Sequence, residues 1–130
     1  MAPTPQPTDI KLKQASRQLV VTFDTGETFD LPCEYLRVYS QSAEVTGHAP
    51  GQEVLQVGKR AVNIEAITPV GNYAIKLHFD DGHDSGIYTW EWLYKLGKHQ
   101  AAYWQDYLKR LQLAGHKHPD IEPTDLTQLL

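Results

Sequence analysis

The stretch over residues 72–93 constrains the fold more than any other part of the chain, because it encodes a hairpin that runs directly into a helix. Apolar residues alternate with smaller or polar ones up to Phe79, which is the period of a half-buried strand. Asp81 and Gly82 then supply the left-handed backbone that a tight hairpin turn requires. A second strand follows and is expected to reach Tyr88. The sequence therefore predicts two antiparallel strands at this point.

A helix is predicted directly after this hairpin. The Thr89 hydroxyl is suited to accept a hydrogen bond from a first-turn amide, and Glu91 suits the positive end of the helix dipole. Gly97 is the expected stop of the helix. These residues predict an architecture, but they carry no signal of an activity.

The rest of the chain adds strands, short helices and one longer helix. Further strands are expected over residues 9–13, 18–23, 28–31, 62–64 and 66–67. A short helix is expected after Pro32, and residues 40–58 form the longest irregular segment. Aromatic and leucine residues at helical spacing predict an amphipathic helix that ends at Gly115. The predicted fold class is α+β, a strand-rich meander with hairpins, short helices and a C-terminal amphipathic helix packed on the sheet. No internal repeat is expected.

The chain is long enough for one domain with a hydrophobic core. Its 130 residues and 14.7 kDa are too few for two ordinary domains. Residues 1–8 are expected to form a disordered leader, residues 9–115 the domain, and residues 116–130 a polar tail. The leader has neither the basic start nor the apolar middle of a signal peptide.

The charge balance argues against nucleic acid as a partner. The formal net charge is −4, with 12 Lys and Arg against 16 Asp and Glu, so phosphate backbones are not generally attracted. No apolar run approaches the roughly 20 residues of a membrane-spanning helix. The single cysteine, Cys33, excludes an internal disulfide and is safest in a reducing compartment. We therefore expect a cytoplasmic protein that binds neither nucleic acid nor membrane.

The chain lacks the common catalytic motifs. It contains no Gly-rich phosphate loop, no Ser-based elbow and no zinc-finger spacing. Cys33 has no neighbouring base or cation to activate it, so a buried packing role is expected. His116 and His118 lie in the polar tail and are expected to be exposed to solvent. The protein is therefore expected not to be an enzyme, and to have no catalytic or cofactor-binding residues.

One histidine pattern offers three interpretations. His78 and Asp80 form the His-x-Asp pair with which many oxygenases hold iron. Such a site normally lies inside a barrel larger than this chain can build. With a turn at residues 81–82, Asp80 and His83 become cross-strand neighbours, and a surface hydrogen bond explains them. Adventitious or structural metal binding by His78, Asp80 and His83 is the remaining alternative.

Four blocks of sequence resemble a known family. They are Leu-Pro-Cys-Glu-Tyr-Leu-Arg at 31–37, Ser-Gln-Ser-Ala-Glu-Val-Thr-Gly-His at 40–48, Phe-Asp-Asp-Gly-His at 79–83 and Trp-Glu-Trp-Leu at 90–93. In this order and spacing, the chain resembles the gamma-butyrobetaine hydroxylase-like N-terminal domain family over residues 10–97. The resemblance implies a compact, strand-rich, non-catalytic domain that precedes the catalytic barrel in carnitine-pathway hydroxylases. In bacteria such domains also occur alone or attached to iron–sulfur cluster carrier ATPases.

The resemblance also implies where a metal would be held. In the hydroxylases, three cysteines just after the Leu-Arg pair and one histidine in the hairpin turn bind zinc. The histidine matches His83, whereas the cysteine positions correspond to Ser40, Ser42 and Val45, which supply no thiolate. Bacterial stand-alone members commonly show this serine version. The resemblance therefore implies a dismantled zinc site, and no cofactor beyond weakly bound zinc or iron.

Three functional hypotheses follow. The first is a non-catalytic module that binds an unidentified protein partner through the loop over 40–58, the hairpin turn or the tail. The second is a metal-binding accessory of iron–sulfur cluster assembly, with His83, His48 and His78 as candidate metal ligands. The third is a separate subunit of an oxygenase. The last two would make an iron–sulfur carrier or an oxygenase the partner.

Overall fold

The computed structural model describes residues 3–47 and 53–121. Its elements in chain order are β1 (Pro7–Lys13), β2 (Gln18–Phe23), β3 (Thr28–Pro32), α1 (Cys33–Val38), α2 (Ala43–Thr46), β4 (Ile64–Val70), β5 (Ala74–Phe79), β6 (Gly86–Thr89), α3 (Trp90–Lys98) and α4 (Gln100–Leu113). No helix within the described ranges is long and apolar enough to cross a membrane.

The strands form two three-stranded antiparallel sheets, in the orders β1-β2-β3 and β4-β5-β6. The register places Leu19 opposite Leu31 in the first sheet and Ile75 opposite Tyr88 in the second, so apolar side chains of neighbouring strands face each other. Buried residues of both sheets join α1 and α3 in one hydrophobic cluster. A smaller cluster packs α4 against Val38 of α1. The predicted α+β fold class is confirmed.

The two halves of the domain repeat one another, although no repeat was expected. Each half contains three strands followed by a helix, and its last two strands join at a Phe-Asp-x-Gly turn over residues 23–26 or 79–82. Gly26 and Gly82 both have a φ of 89°. In each turn the Phe N–H donates to the carbonyl of the residue after the glycine, at 2.8 Å in the first half and 2.9 Å in the second. These are the same three-residue hairpin loops with a left-handed glycine.

The helix of each half docks on the other half through matching hydrogen bonds. The Tyr35 hydroxyl donates to the Leu96 carbonyl at 2.7 Å, and the Trp92 indole N–H donates to the Tyr39 carbonyl at 3.1 Å. When Cys-Glu-Tyr-Leu at 33–36 is aligned with Trp-Glu-Trp-Leu at 90–93, Tyr35 corresponds to Trp92 and Leu96 to Tyr39. The two contacts are therefore counterparts, and they lock the halves together reciprocally.

Gly97 does not end α3, contrary to the sequence expectation. The helix continues to Lys98, and Gly97 is not among the glycines with positive φ. A Cβ at this position would lie 2.4 Å from the ring of Phe29. The glycine is therefore required because β3 approaches α3 closely, and not because the helix stops.

Residues on the outer side of both predicted boundaries make contacts with the rest of the chain. β1 begins at Pro7, within the predicted leader, and the Asp24 N–H donates to the Gln6 carbonyl at 2.8 Å. Residues 116–121, assigned to the polar tail, fold back onto the domain, whereas residues 122–130 lie outside the described part of the chain. The division at residues 9 and 115 stays a prediction.

Candidate functional site at the hairpin–helix junction

A buried serine–histidine pair joins the second hairpin to the end of α1. Ser40 follows α1, and His83 follows the turn glycine Gly82. Ser40 Oγ lies 2.9 Å from His83 Nε2, and the two residues are only 1% and 3% exposed. Ser40 Oγ also accepts the backbone N–H of Ser42 at 3.2 Å. Because both polar groups are enclosed and hydrogen-bonded, the pair fastens the hairpin to α1.

The positions that the resemblance assigns to zinc ligands lie around this pair. Ser42 Oγ is 2.7 Å from Ser85 Oγ of the hairpin, and buried Val45 lines the same cavity as Ser40. The fold thus brings the serine positions and His83 together. Hydroxyls and a valine do not supply the thiolates of a tetrahedral zinc site, so these residues do not fit that ion. No group of three or more His, Cys, Asp and Glu suited to a metal occurs in the described ranges.

A charged network beside the pair fixes the turn and the loop. Arg37 is 6% exposed, and its guanidinium donates to Asp81 Oδ2 at 3.0 Å and to Gln56 Oε1 at 3.0 Å. Lys59 Nζ donates to the same Asp81 oxygen at 2.8 Å. α1 is thereby connected to the hairpin through Asp81 and to the long loop through Gln56. Sequence analysis missed this network because nothing local to Arg37 indicates a partner so far along the chain.

The Asp81 carboxyl is held in its ionised form. Partial burial raises its pKa, but hydrogen bonds from Lys59 and from the His83 backbone N–H, together with the charge of Arg37, outweigh burial and lower the pKa to about 2. The negative charge therefore persists at every physiological pH. It neutralises a guanidinium that would otherwise be buried without a counter-ion.

The histidines expected as metal ligands have separate surroundings. His78 Nε2 lies 2.8 Å from Thr68 Oγ1 on the neighbouring strand β4. His83 contacts Ser40, and His48 lies outside the described residues. The structure brings His78 and His83 to different hydroxyls, and their role as metal ligands stays a prediction.

The prediction of a cross-strand hydrogen bond between Asp80 and His83 is wrong. Asp80 Oδ1 accepts the backbone N–H of Asn63 at 3.0 Å, whereas His83 faces inward to Ser40. The reason is the loop length, because Phe79 pairs with His83 and leaves Asp80 within a three-residue turn.

Cys33 is fully buried, as the sequence predicts, and burial raises the pKa of its thiol to about 11.

A second polar contact, also missed from the sequence, ties the C-terminal segment to α1. The His118 side chain, expected to be exposed, is 5% exposed, and its Nε2 lies 2.8 Å from Glu34 Oε2. His118 Nδ1 accepts the Asp120 N–H at 3.0 Å, so Nε2 carries the proton donated to Glu34. Asp120 Oδ2 accepts the Trp104 indole N–H at 2.9 Å. The expectation of exposure fails because the turn closed by the Ile121 N–H and the His118 carbonyl folds back onto α4.

Comparison with protein-family models matches residues 10–94 to a family described as gamma-butyrobetaine hydroxylase-like, N-terminal. A search of curated proteins found no match. Two structures, each described as an NMR solution structure, are 50% and 44% identical to this chain. They cover 96% and 95% of it and 99% and 98% of their own chains, with TM-scores of 0.75 and 0.78. A crystal structure of a protein with unknown function from Acidithiobacillus ferrooxidans is 38% identical, covers 71% of this chain and 92% of its own, and has a TM-score of 0.59.

Proposed function

Because this chain belongs to the gamma-butyrobetaine hydroxylase-like N-terminal domain family, we propose that it is a small non-catalytic module of the bacterial cytoplasm that binds another protein. The supporting observation is a set of exposed apolar side chains on the long loop and the end of α4. Val54, Val57 and Leu113 are 52%, 43% and 79% exposed. Leu55 and Leu113 line one shallow groove. We call this groove, together with the exposed Val54 and Val57 next to Leu55 and Gln56 in the sequence, the loop–helix patch.

The loop–helix patch has a fixed support. The Tyr107 hydroxyl donates to the Gln56 carbonyl at 2.6 Å, and the Gln56 side chain is held by Arg37. Exposed apolar side chains on an ordered support are typical of protein interaction sites, since little order is lost on binding. The other two predicted contact regions are engaged within the chain, the hairpin turn through Asp81 and the tail through His118. The contacts of the loop leave Val54 and Val57 exposed, and the loop is therefore favoured as the binding region.

A comparison of three proteins tests this proposal. The patch variant carries Val57→Ser and Leu113→Ser, and the control carries Tyr73→Ser, which removes a 54% exposed side chain from the β4–β5 turn. Each is used to capture crosslinked partners from the source cells, and each captured protein is quantified. We expect a partner retained by the wild type and the control but reduced by about tenfold or more with the patch variant, as for loss of interface anchors. Equal capture by all three would refute the assigned surface.

Metal analysis of untagged protein separates the proposal from the metal-binding alternative. A role in iron–sulfur cluster assembly, or beside a separate oxygenase, requires stoichiometric zinc or iron that is lost on changing His83, His48 or His78. Metal retained through purification and absent from those variants would replace the interaction proposal. Substoichiometric metal that the same substitutions leave unchanged would support it.

A further inference from the structure

A cavity of about 180 Å³ lies beside the loop–helix patch, between the end of α1, α2, the loop residues 53–56 and α4. Val54 of the patch forms part of its wall. Glu53 and Arg110 line both the cavity and the groove of the patch. The cavity is therefore continuous with the surface that we assign to a protein partner.

The cavity has an exposed rim and a buried apolar floor. Gln41 and Thr46, which line it, are exposed to solvent, so it is entered from the surface. Val38, Val45 and Tyr107 line it as well and are only 5%, 7% and 1% exposed. An apolar protein cavity of roughly 150 Å³ accepts benzene. The volume therefore suits one aromatic ring.

The buried polar side chains that line the cavity already have partners within the chain. The Ser40 hydroxyl and the Gln56 side chain are held by hydrogen bonds to neighbouring side chains. The Tyr107 hydroxyl and the Trp92 indole N–H donate to backbone carbonyls. A polar group that entered this part of the cavity would lose water without gaining equivalent hydrogen bonds, which is costly. The lining therefore selects an apolar occupant.

One wall of the cavity is aromatic. Arg110 is ion-paired with Asp106 at 3.3 Å, and its guanidinium carbon lies 5.8 Å and 5.9 Å from the ring centres of Tyr39 and Tyr107. The charge is thus paired and requires no anion from a ligand. Trp92 and Tyr107 supply rings, and contacts between aromatic rings are more favourable than their buried area alone accounts for. An aromatic occupant is favoured over an aliphatic one.

We propose that the cavity receives the ring of one phenylalanine from the partner protein. This inference rests on the proposed function, because the rest of the partner contacts the loop–helix patch. The walls are fixed before binding, since the Val54 N–H donates to the Val45 carbonyl at 2.7 Å and the Tyr107 hydroxyl to the Gln56 carbonyl at 2.6 Å. Interfaces owe most of their affinity to a few such anchors in well-packed pockets.

Titration with toluene, the phenylalanine side chain without its backbone, tests the cavity in the absence of any partner. Binding is followed through the tryptophan indole N–H signals in NMR spectra, because Trp92 lines the cavity, whereas Trp90 and Trp104 do not. We expect a saturable shift of the Trp92 signal alone, at concentrations on the order of 10 mM or below. p-Cresol, the tyrosine counterpart, should bind about tenfold more weakly, because its hydroxyl finds no partner. No saturable shift of Trp92, or equal binding of p-cresol, would overturn the proposal.

Three variants locate the binding to the cavity. Val45→Phe fills the cavity from its floor, whereas Ile87→Phe adds the same ring at a 41% exposed position of β6 that does not line the cavity. Val45→Phe should weaken toluene binding about tenfold or more, and Ile87→Phe should change it less than about twofold. If Val45→Phe does not fold, the smaller Val45→Leu decides the matter and should weaken binding about threefold. Equal affinity for toluene in the wild type and the filled variant would refute the site.

Capture of the crosslinked partner separates failure of this inference from failure of the proposed function. Val45→Phe should reduce capture about tenfold, as the patch variant does, and Ile87→Phe should leave it unchanged. A partner that the patch variant loses but Val45→Phe retains would overturn the phenylalanine occupant and leave the proposed function standing. A partner that both variants retain would refute both, whatever the result with toluene.

Discussion

Replacing Asp81 by Asn tests the network that connects the hairpin, α1 and the loop. The carboxylate receives hydrogen bonds from Arg37, Lys59 and the His83 backbone N–H. These interactions outweigh the effect of burial and lower its pKa from 3.8 to about 2. A shift of this size corresponds to about 2 kcal/mol of folding free energy at neutral pH. The side chain is 22% exposed, so solvent screens the interactions only in part.

The contribution of Asp81 to folding stability must decrease as the pH falls through a defined range. Its pKa is lower in the folded than in the unfolded state, so the stabilisation is complete above the unfolded value and is lost as the pH falls through the folded value. Asn at this position does not titrate. The difference in unfolding free energy between the wild type and Asp81→Asn should therefore shrink by about 1 kcal/mol between pH 6 and pH 3, and further at pH 2.

Urea unfolding at several pH values, followed by tryptophan fluorescence, measures this difference. Glu27 also has a lowered pKa, caused by hydrogen bonds from Tyr94, Lys98 and Thr25, but it is present in both proteins and cancels. The control is Asp84→Asn, which removes an exposed carboxylate from the same hairpin and should change stability by less than about 0.5 kcal/mol. A difference for Asp81→Asn that stays constant from pH 6 to pH 2 would refute the ionic origin of the stabilisation.

Four further predictions concern the fold and its metal independence. Gly97→Ala should destabilise the protein by about 1–2 kcal/mol in thermal unfolding, because the alanine Cβ would clash with Phe29. Alanine normally favours a helix over glycine, so the clash must outweigh that gain. Unchanged stability would contradict the close approach of β3 to α3. Gly82→Val should cost about 1 kcal/mol or more, since a β-branched residue resists a φ of 89°, and an unchanged melting temperature would argue against the turn. His118→Ala should destabilise by about 1–2 kcal/mol in urea, with His116→Ala, an exposed neighbour, as the neutral control. Chelator treatment should leave the melting temperature unchanged, and a large decrease would reveal a structural metal.

Local sequence chemistry predicted the elements whose cause is local. Alternating apolar residues and an Asp-Gly pair predicted β5, its turn and β6, and the structure contains them. Thr89 was expected to cap α3, and its hydroxyl accepts the Trp92 N–H at 3.1 Å. Gly97 shows the limit of such reasoning. A glycine after a leucine has the same local pattern whether the helix stops or another strand approaches, and only the position of Phe29 distinguishes the two.

The candidate site depends on contacts that no local pattern encodes. Ser40 and His83 are 43 residues apart in sequence, and Arg37 and Asp81 are 44 residues apart. Resemblance to a family placed Ser40 and His83 at one site, whereas Arg37 carried no such signal. The repeated Phe-Asp-x-Gly turns at 23–26 and 79–82, each followed by a helix beginning with x-Glu-aromatic-Leu, were visible in the sequence. Together with the site that the resemblance assigns to Ser40 and His83, comparing the two halves predicts that the first hairpin turn also contacts the helix of the other half.

This duplication supports the prediction that the junction at His83 folds without a metal. In the first half, Glu27 follows the turn glycine and accepts hydrogen bonds from Tyr94 at 2.6 Å and Lys98 at 2.9 Å, which belong to the helix of the second half. In the second half, His83 follows the turn glycine and contacts Ser40 at the end of the first helix. Side-chain hydrogen bonds join turn to helix in both places, through Glu27 in the first half and through His83 in the second. Because the same contact is made with two different chemistries, Ser40, Ser42 and Val45 at the positions that the resemblance assigns to thiolates need not separate the hairpin from the helix, and we expect folding to be independent of metal.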